Sequence, residues 1–204
     1  NMLKILITRH GQTKQNINGI VQGKEDGEIN EKGFLQIKEL IQRLKNEKID
    51  RIISSDIPRC KITTEEILKE VNVPVEYTSL IREKDNGSLV GKSHKDFSWD
   101  ELEGSFETRK APDGENLEEV RERGRKFFEK IKKKYQQSNE TILIVSHGAF
   151  LKVFIGELLG MKIYDSIFKL FVEHCSITEL EISKKHKEGY RFNFINDISH
   201  LKTR

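Results

Sequence analysis

Apolar residues along this chain fall into short continuous runs and into longer stretches where they recur every three or four positions. Residues 3–8 and 141–146 are continuous apolar runs, which are typical of strands buried on both faces of a sheet. Near the end of the chain, two further runs flank a turn rich in Lys and Gly and predict a hairpin. The predicted strands are 3–8, 51–55, 75–77, 141–146, 176–182 and 190–195.

The longer stretches predict four helices, each with one apolar face. Asn30 is a potential N-cap of the first, and Phe34 belongs to its apolar stripe. Pro58 opens the second, because proline is favoured in the first turn of a helix. Residues 116–119 (Asn-Leu-Glu-Glu) have the spacing of a capping box at the start of the third. The fourth covers residues 149–159.

Strands and helices alternate along the chain, and this order predicts an α/β fold. We expect a three-layer α/β/α sandwich around a mostly parallel sheet with an antiparallel edge strand. Neither a repeat nor a linker between two cores interrupts the pattern, so we expect a single domain over residues 2–204. Residues 84–112 follow neither period and predict an irregular excursion from the sandwich.

Charge and cysteine content narrow the classes of function. The 36 basic residues are interspersed with 33 acidic ones, for a net charge of +3, which is not the pattern of a nucleic-acid-binding protein. No apolar run approaches the roughly 18 residues that cross a bilayer, so we expect no membrane partner. Cys60 and Cys175 are too few for a disulfide framework or a cysteine metal site. We therefore expect a reducing, cytoplasmic setting.

Both long buried strands end in the same dipeptide, His-Gly. His10-Gly11 follows the first strand and His147-Gly148 follows the other. Because ligands of an open parallel sheet gather outside the carboxyl ends of its strands, we expect the two histidines to meet there. A glycine after each histidine lets the backbone turn sharply beside a ligand.

Two arginines are predicted at the same edge of the sheet. Arg9 ends the first strand, and Arg59 lies at the start of the helix that follows the strand at 51–55. Free N–H groups and the helix dipole favour anions at a helix start, so an arginine there indicates an anion from outside the chain. A forked guanidinium suits a phosphate group, and we expect both arginines to bind one.

Five blocks of sequence resemble the histidine phosphatase superfamily, whose other large branch is the cofactor-dependent phosphoglycerate mutases. Residues 9–13 (Arg-His-Gly-Gln-Thr), followed by Asn16, are similar to the family signature. The other blocks follow in the family's order, and together they span residues 3–148. They are Ser-Ser-Asp-Ile-Pro-Arg-Cys at 54–60, Ile-Arg-Glu at 81–83, Pro-Asp-Gly-Glu at 112–115 and Ser-His-Gly at 146–148.

The resemblance implies a phosphoglycerate mutase-like fold and a metal-independent phosphomonoesterase, a phosphoric monoester hydrolase of the histidine acid phosphatase type. His10 would be the nucleophile and would carry the phosphoryl group as phosphohistidine. Arg9, Arg59 and His147 would surround the phosphoryl oxygens and stabilise charge in the transition state. Glu83 would protonate the leaving oxygen and then deprotonate water.

The resemblance also implies where the substrate binds and which partners are absent. The excursion at 84–112 would cover the active site. The substrate would be a small phosphorylated metabolite, and the enzyme would need no cofactor and would act as a monomer or homodimer without nucleic acid. The implied substrate-binding residues are Arg9, Gly11, Asn16, Gln22, Gly23, Arg59, Glu83, His147 and Gly148.

Two other functions stay open. One is a cofactor-dependent phosphoglycerate mutase, although the residues between Glu83 and Pro112, 84–111, number only 28, which is short for relatives with that activity. The other is a non-catalytic module that binds phosphate in the same pocket. A metal site on His10 and His147 is disfavoured because His-Glu-x-x-His is missing and two arginines lie nearby. Residues 87–93 are similar to a nucleotide-binding P-loop, but only three residues separate Gly87 from Gly91, where a P-loop has four.

Two groups of side chains have more than one interpretation. Phe97, Trp99 and Phe106 either line a pocket for the leaving group or anchor the excursion to the core. The basic run at 121–134 is best interpreted as a solvated helix face, because its apolar residues share one side.

Overall fold

The computed structural model describes residues 1–25 and 27–203, so the last position of the predicted domain 2–204 lies outside the described residues. Strands and helices alternate through most of the chain. In order they are β1 (Leu3–Arg9), α1 (Lys14–Asn18), α2 (Glu31–Leu44), β2 (Arg51–Ser55), α3 (Pro58–Leu68), β3 (Val75–Thr78), α4 (Leu117–Tyr135), β4 (Thr141–Ser146), α5 (Gly148–Leu158), α6 (Ile163–Lys169), β5 (Ile177–Ile182) and β6 (Tyr190–Asp197).

Six strands form one mixed sheet in the order β3-β2-β4-β1-β5-β6. The strands β1 to β4 pair in parallel, β5 is antiparallel to β1, and β6 is antiparallel to β5. The predicted mostly parallel sheet with an antiparallel strand is confirmed. The antiparallel strand β5 lies inside the sheet, however, because β6 of the hairpin covers its outer side.

Helices cover both faces of the sheet and give the predicted three layers. The core on one side is formed with α4 and α5, and the core on the other with α2 and α3. The apolar stripe of α4 is buried as predicted, from Leu117 to Tyr135. In α2 the stripe holds except at Phe34, which is 45% exposed and lies off the buried face.

The excursion at 84–112 is irregular apart from two short 3-10 turns, Gly87–Leu89 and Trp99–Glu101. It has a small apolar cluster of its own, in which Leu89 and Ala111 are buried together with Val21. Its two ends are tied to each other by a backbone hydrogen bond from Ser88 N to Pro112 O at 3.0 Å, and its middle is tied to the loop after α1 by one from Val21 N to Lys92 O at 2.9 Å. Among the described helices, none is long and apolar enough to cross a membrane.

Candidate active site

The two histidines predicted to meet do so at the carboxyl edge of the sheet. Strands β1 and β4 pair in parallel with Arg9 opposite Ser146, and His10 N donates to Ser146 O at 3.0 Å. This register places His10 next to His147, with ring centroids 5.3 Å apart and an edge-on arrangement. Both rings are buried, His10 at 2% and His147 at 0% exposure. The expected juxtaposition is confirmed.

The hydrogen bonding of His10 determines which ring nitrogen is free to react. Nδ1 lies 2.8 Å from the carbonyl oxygen of Gly11, which only accepts hydrogen bonds, so Nδ1 carries the proton and donates it. Nε2 therefore keeps its lone pair. Burial lowers the pKa of His10 well below its usual value, and the positive charge of Arg59 lowers it further. At neutral pH the ring is an uncharged imidazole with Nε2 as its basic atom.

Both predicted arginines lie at this edge of the sheet. The Arg59 side chain is 1% exposed, and its Nη1 donates to Gly23 O at 3.0 Å. Arg9 Nη1 donates to Val172 O at 3.0 Å, while its Nε has no hydrogen-bond partner in the described part of the chain. Gly148 lies against Arg9, since a Cβ there would be 3.0 Å from the guanidinium carbon. The two guanidiniums give the site a concentrated positive charge.

The carboxylate of Glu83, a residue of the segment after β3, lies against the N-terminus of α5, the helix that follows β4. Its carboxylate oxygens accept hydrogen bonds from the backbone N–H groups of Ala149, at 3.1 Å, and Phe150, at 2.9 Å. The backbone before it is held from two sides. Ser146 Oγ donates to Ile81 O at 2.7 Å, and Arg123 donates to carbonyl oxygens between residues 80 and 83.

Arg123 corrects part of the prediction for the basic run at 121–134. The run does present several lysines to solvent, but the Arg123 side chain is only 16% exposed and pairs with Glu115 at 2.9 Å. It donates to the carbonyls of Leu80 and Arg82 at 2.9 and 3.0 Å. One residue of the predicted solvated face is therefore a buried connection between α4 and the segment that carries Glu83.

A cavity of about 480 Å³ lies next to these groups. Arg59 and Glu83 line it, together with Asn16 of α1 and Gln22 of the loop between α1 and α2. The two amide side chains are fixed through Thr13, whose Oγ1 lies 2.8 Å from both Asn16 Oδ1 and Gln22 Oε1. The predicted binding residues are thus brought together on one wall.

The remaining predicted binding residues, Gly11 and Gly23, are not part of the cavity lining and support the site through backbone hydrogen bonds. Gly11 N donates to Thr63 Oγ1 at 3.1 Å, which fixes the turn after β1. A side chain at Gly11 would collide with Ile37 of α2, because an added Cβ would lie 2.9 Å from its Cδ1. Gly23 accepts the hydrogen bond from Arg59, so both glycines hold the phosphate-binding candidates in place.

The rest of the cavity lining is largely apolar, and its aromatic part, the aromatic wall, comes from the excursion and from α6. Trp99 and Phe106 line it, whereas Phe97 packs edge-on against Trp99 at 5.1 Å in the small cluster of the excursion. Phe106 also packs against the main core. Anchoring of the excursion is thus observed for Phe97 and Phe106, while binding of a leaving group by Trp99 and Phe106 stays a prediction. The other apolar lining residues are Ile20, Val21, Leu117, Ala149, Ile167 and Phe168.

His174 is a third buried histidine at the site, and the sequence analysis missed it. Its Nδ1 donates to the backbone carbonyl of His10 at 2.8 Å, and the two rings are 5.2 Å apart. Burial, with the charge of Arg9, lowers the pKa of His174 to about 3. The sequence does contain a signal for this position. A strand antiparallel to β1 begins at the edge of the sheet where β1 ends, and His174 lies just before such a strand, β5.

Both cysteines are buried free thiols, and neither belongs to a group of potential metal ligands within the described residues. Cys60 Sγ lies 3.4 Å from Ser146 O and 3.4 Å from His147 Nε2, and burial raises the pKa of the thiol. Within residues 1–25 and 27–203, no group of three or more His, Cys, Asp and Glu side chains is placed to hold a metal ion.

Comparison with known proteins agrees with this geometry. A protein from Schizosaccharomyces pombe named "Probable phosphatase" is 33% identical over 209 residues, covering 98% of this chain and 96% of that protein. One from Salmonella arizonae named "Probable phosphoglycerate mutase" is 30% identical over 209 residues, covering 98% and 95%.

Solved structures share the fold. That of Bacillus stearothermophilus YhfR has a TM-score of 0.86 at 24% identity, covering 97% of this chain and 98% of that one. That of a phosphoserine phosphatase mutant from Entamoeba histolytica has a TM-score of 0.81 at 25% identity, covering 98% and 99%. The family model of the histidine phosphatase superfamily, branch 1, matches residues 5–195. The chain belongs to the histidine phosphatase superfamily.

Proposed function

We propose that this protein is a metal-independent phosphomonoesterase that hydrolyses a small phosphorylated metabolite through a phosphohistidine on His10. One observation carries the proposal. The His10 ring is buried and uncharged, its Nδ1 proton is held by Gly11 O, and its free Nε2 lies among the positive charges of Arg9 and Arg59. This is the arrangement that a nitrogen nucleophile needs for attack on a phosphate dianion.

In the first half-reaction, the Nε2 lone pair attacks phosphorus. The P–N bond forms as the ester P–O bond breaks on the opposite side, and the electron pair of that bond goes to the leaving oxygen. Glu83, which lines the same cavity as Arg59, donates a proton to this oxygen. The products are a free alcohol and a phosphoryl group on His10.

The positive groups stabilise the charge that spreads over the three remaining phosphoryl oxygens. Arg9 and Arg59 are held in place by hydrogen bonds to backbone carbonyls, so little reorganisation is needed when the phosphate arrives. His147 lies beside His10, with ring centroids 5.3 Å apart, and is fixed by Ser55, whose Oγ is 2.8 Å from Nε2.

In the second half-reaction, water takes the place of the alcohol. Glu83, now ionised, removes a proton from this water as its oxygen attacks phosphorus, and the P–N bond breaks. The electron pair returns to Nε2, inorganic phosphate leaves, and both His10 and Glu83 regain their starting protonation states.

The relatives support a phosphatase and also give the second candidate. The protein that is 33% identical is named a probable phosphatase, and proteins that are 30% identical are named probable phosphoglycerate mutases. A mutase shares the phosphohistidine but transfers the group back to a phosphoglycerate instead of to water. The two candidates differ in product, so one set of assays separates them.

The test is release of inorganic phosphate from p-nitrophenyl phosphate and from a panel of phosphomonoesters, with EDTA present. We expect EDTA-resistant release, lost by at least about 10³-fold in His10→Ala with an unchanged circular dichroism spectrum. Interconversion of 2- and 3-phosphoglycerate faster than phosphate release would favour the mutase. Binding of phosphate without any turnover would favour the non-catalytic module, and dependence on added metal would contradict the proposed mechanism.

A further inference from the structure

Lys84 is a partly buried cation that lines the candidate active-site cavity. It follows Glu83 in the chain and lines the same cavity. Its Nζ lies 3.0 Å from Asn86 Oδ1 and 4.7 Å from the centre of the Trp99 ring. Burial lowers the pKa of Lys84, so the ammonium is less well solvated here than at the surface.

The carboxylates nearest to Lys84 are engaged with other groups. Asp85 pairs with Lys24 at 2.7 Å, and Glu115 pairs with Arg123 at 2.9 Å. The Glu83 carboxylate accepts hydrogen bonds from backbone N–H groups of α5. In the described residues, Lys84 Nζ has no carboxylate within the 4.0 Å of an ion pair. A partly desolvated ammonium that lines a cavity and makes no ion pair within the described residues is suited to an anion of a ligand.

The position of Lys84 relates this anion to the reaction. Consecutive Cα atoms are about 3.8 Å apart, so the backbone of Lys84 begins directly beside the residue proposed to protonate the leaving oxygen. An anionic group within a few bonds of the ester oxygen therefore comes within reach of Nζ.

The rest of the cavity is suited to an apolar body. Its volume of about 480 Å³ is within the range of pockets that bind whole small molecules, far more than a phosphate needs. Phe106 and Phe168 line it with ring centroids 5.4 Å apart, and Phe168 is 58% exposed at the rim. An apolar group seated there would cover that ring. Arg109 also lines the cavity but is paired with Asp100.

We propose that Lys84 is a specificity-determining residue that binds an anionic group on the leaving group of the substrate, while the aromatic wall binds its apolar body. The substrate class is thus a phosphomonoester whose leaving group carries a carboxylate or a second phosphate on an apolar or ring-shaped frame. This inference rests on the proposed phosphatase function.

The test compares substrates of one shape that differ in charge. 3-Carboxyphenyl phosphate and 3-carbamoylphenyl phosphate are assayed with the wild type, with Lys84→Gln and with Lys92→Gln. Lys92 is exposed and does not line the cavity, so its variant controls for loss of one positive charge. 1,3-Phenylene bisphosphate, as a third substrate, shows whether a second phosphate is favoured over a carboxylate.

We expect the wild type and Lys92→Gln to prefer an anionic substrate over the amide by about 10- to 100-fold in kcat/KM, the range of a charge-assisted hydrogen bond. Lys84→Gln should lose that preference, because its kcat/KM should fall about 10- to 100-fold further on the anionic substrate than on the amide, which makes no ionic contact. If Lys84→Gln keeps a preference for the anionic substrate as large as that of the wild type, or if the wild type shows no such preference, the inference is overturned and the phosphatase proposal stays intact. No phosphate released from any substrate would instead overturn the phosphatase proposal.

A separate variant tests the proposed role of the aromatic wall. Phe168→Ala should lower kcat/KM for 3-carboxyphenyl phosphate more than for 4-phosphooxybutanoate, which carries the same charge on a flexible chain. Comparing each substrate with itself in wild type and variant removes the difference in leaving-group reactivity. Equal losses on both substrates would overturn the proposed role of the aromatic wall.

Discussion

At the scale of single residues, His10 combines two properties that follow from its position at the end of β1. The backbone turn at Gly11 presents a carbonyl oxygen to Nδ1, and this contact selects the tautomer with Nε2 free. The surrounding burial and the guanidinium of Arg59 keep the ring uncharged. A nucleophile that is neutral before the substrate arrives does not have to lose a proton first.

The role proposed for Glu83 predicts a dependence on the leaving group. An alkyl phosphate leaves as a strongly basic alkoxide and needs a proton in the transition state, whereas p-nitrophenolate needs little help. Glu83→Gln should therefore slow an alkyl phosphate by about 10²–10⁴-fold and p-nitrophenyl phosphate much less. The measurement is kcat/KM for both substrates at one pH, so titration of the substrate affects each comparison equally.

Glu103→Gln, at an exposed position of the excursion outside the cavity lining, is the matched control and should leave both rates unchanged. Equal losses for the two substrates in Glu83→Gln would mean that Glu83 only shapes the pocket. Unchanged rates for both would mean that it takes no part in the reaction.

The residues that the sequence predicted and those that it missed differ in the kind of signal they leave. His10 and His147 stand at the ends of continuous apolar runs, and the register of two adjacent parallel strands then places them together. His174 and Arg123 act through contacts with backbone carbonyls. Any donor side chain of suitable length can make such a contact, so no local pattern marks Arg123, and His174 is marked only by its place before β5.

At the scale of elements, the length of a helix determines whether its apolar periodicity can be recognised in the sequence. The helices α2 and α4 have 14 and 19 residues, enough turns for their apolar periods to be visible. The helices α1 and α6 have only 5 and 7 residues and were not predicted. A single turn has no period, and α1 is set by local hydrogen bonds between Thr13 and Asn16. The inner position of β5 depends on pairing between distant strands, which periodicity does not show.

The packing of α6 on α5 predicts opposite outcomes for the same substitution at two helix glycines. A Cβ at Gly156 would lie 2.5 Å from Ser166 Cβ, so Gly156→Ala must push α6 away and should destabilise the protein by about 1–3 kcal/mol. At Gly124 in α4 the nearest atom, in Phe154, is 3.4 Å away. Gly124→Ala should stabilise by up to about 1 kcal/mol through helix propensity.

Urea unfolding of both variants and the wild type measures the two differences in free energy. Each variant is the control for the other, because both replace a buried helix glycine by alanine. Destabilisation in both would show that the room at Gly124 is too small, and stabilisation in both would contradict the close contact between α5 and α6.

At the scale of the whole molecule, the buried histidines tie stability to pH. Burial lowers the pKa of His10, His147 and His174 in the folded state, with further lowering by Arg59 or Arg9. Above pH about 6.5 these rings are neutral in both states and have no effect on stability. Below it, the unfolded chain binds protons that the folded chain does not, so stability falls as pH falls.

The expected loss is large enough to measure. Each histidine contributes a slope of up to about 1.4 kcal/mol per pH unit, so the three together should remove about 5 kcal/mol between pH 6.5 and 5. This window lies above the range where Asp and Glu titrate in the unfolded chain. The measurement is the free energy of unfolding in urea at several pH values from 8 to 5.

His174→Gln removes one of the three buried rings, so it should lower the slope of the unfolding free energy against pH by up to about 1.4 kcal/mol per pH unit. The glutamine keeps a donor near the carbonyl of His10. A wild-type stability that stays flat from pH 8 to 5 would contradict the uncharged state assigned to the buried rings.

The central claim is that the phosphoryl group passes through His10, and trapping it there is the most direct test. The enzyme is mixed with radiolabelled p-nitrophenyl phosphate, quenched rapidly without acid, and digested to locate the label. We predict a label on His10 that is lost in acid and kept in base, as a phosphoramidate requires, and no label in His10→Ala. An acid-stable label, or one located on Ser54, Ser146 or Cys60, would contradict the mechanism.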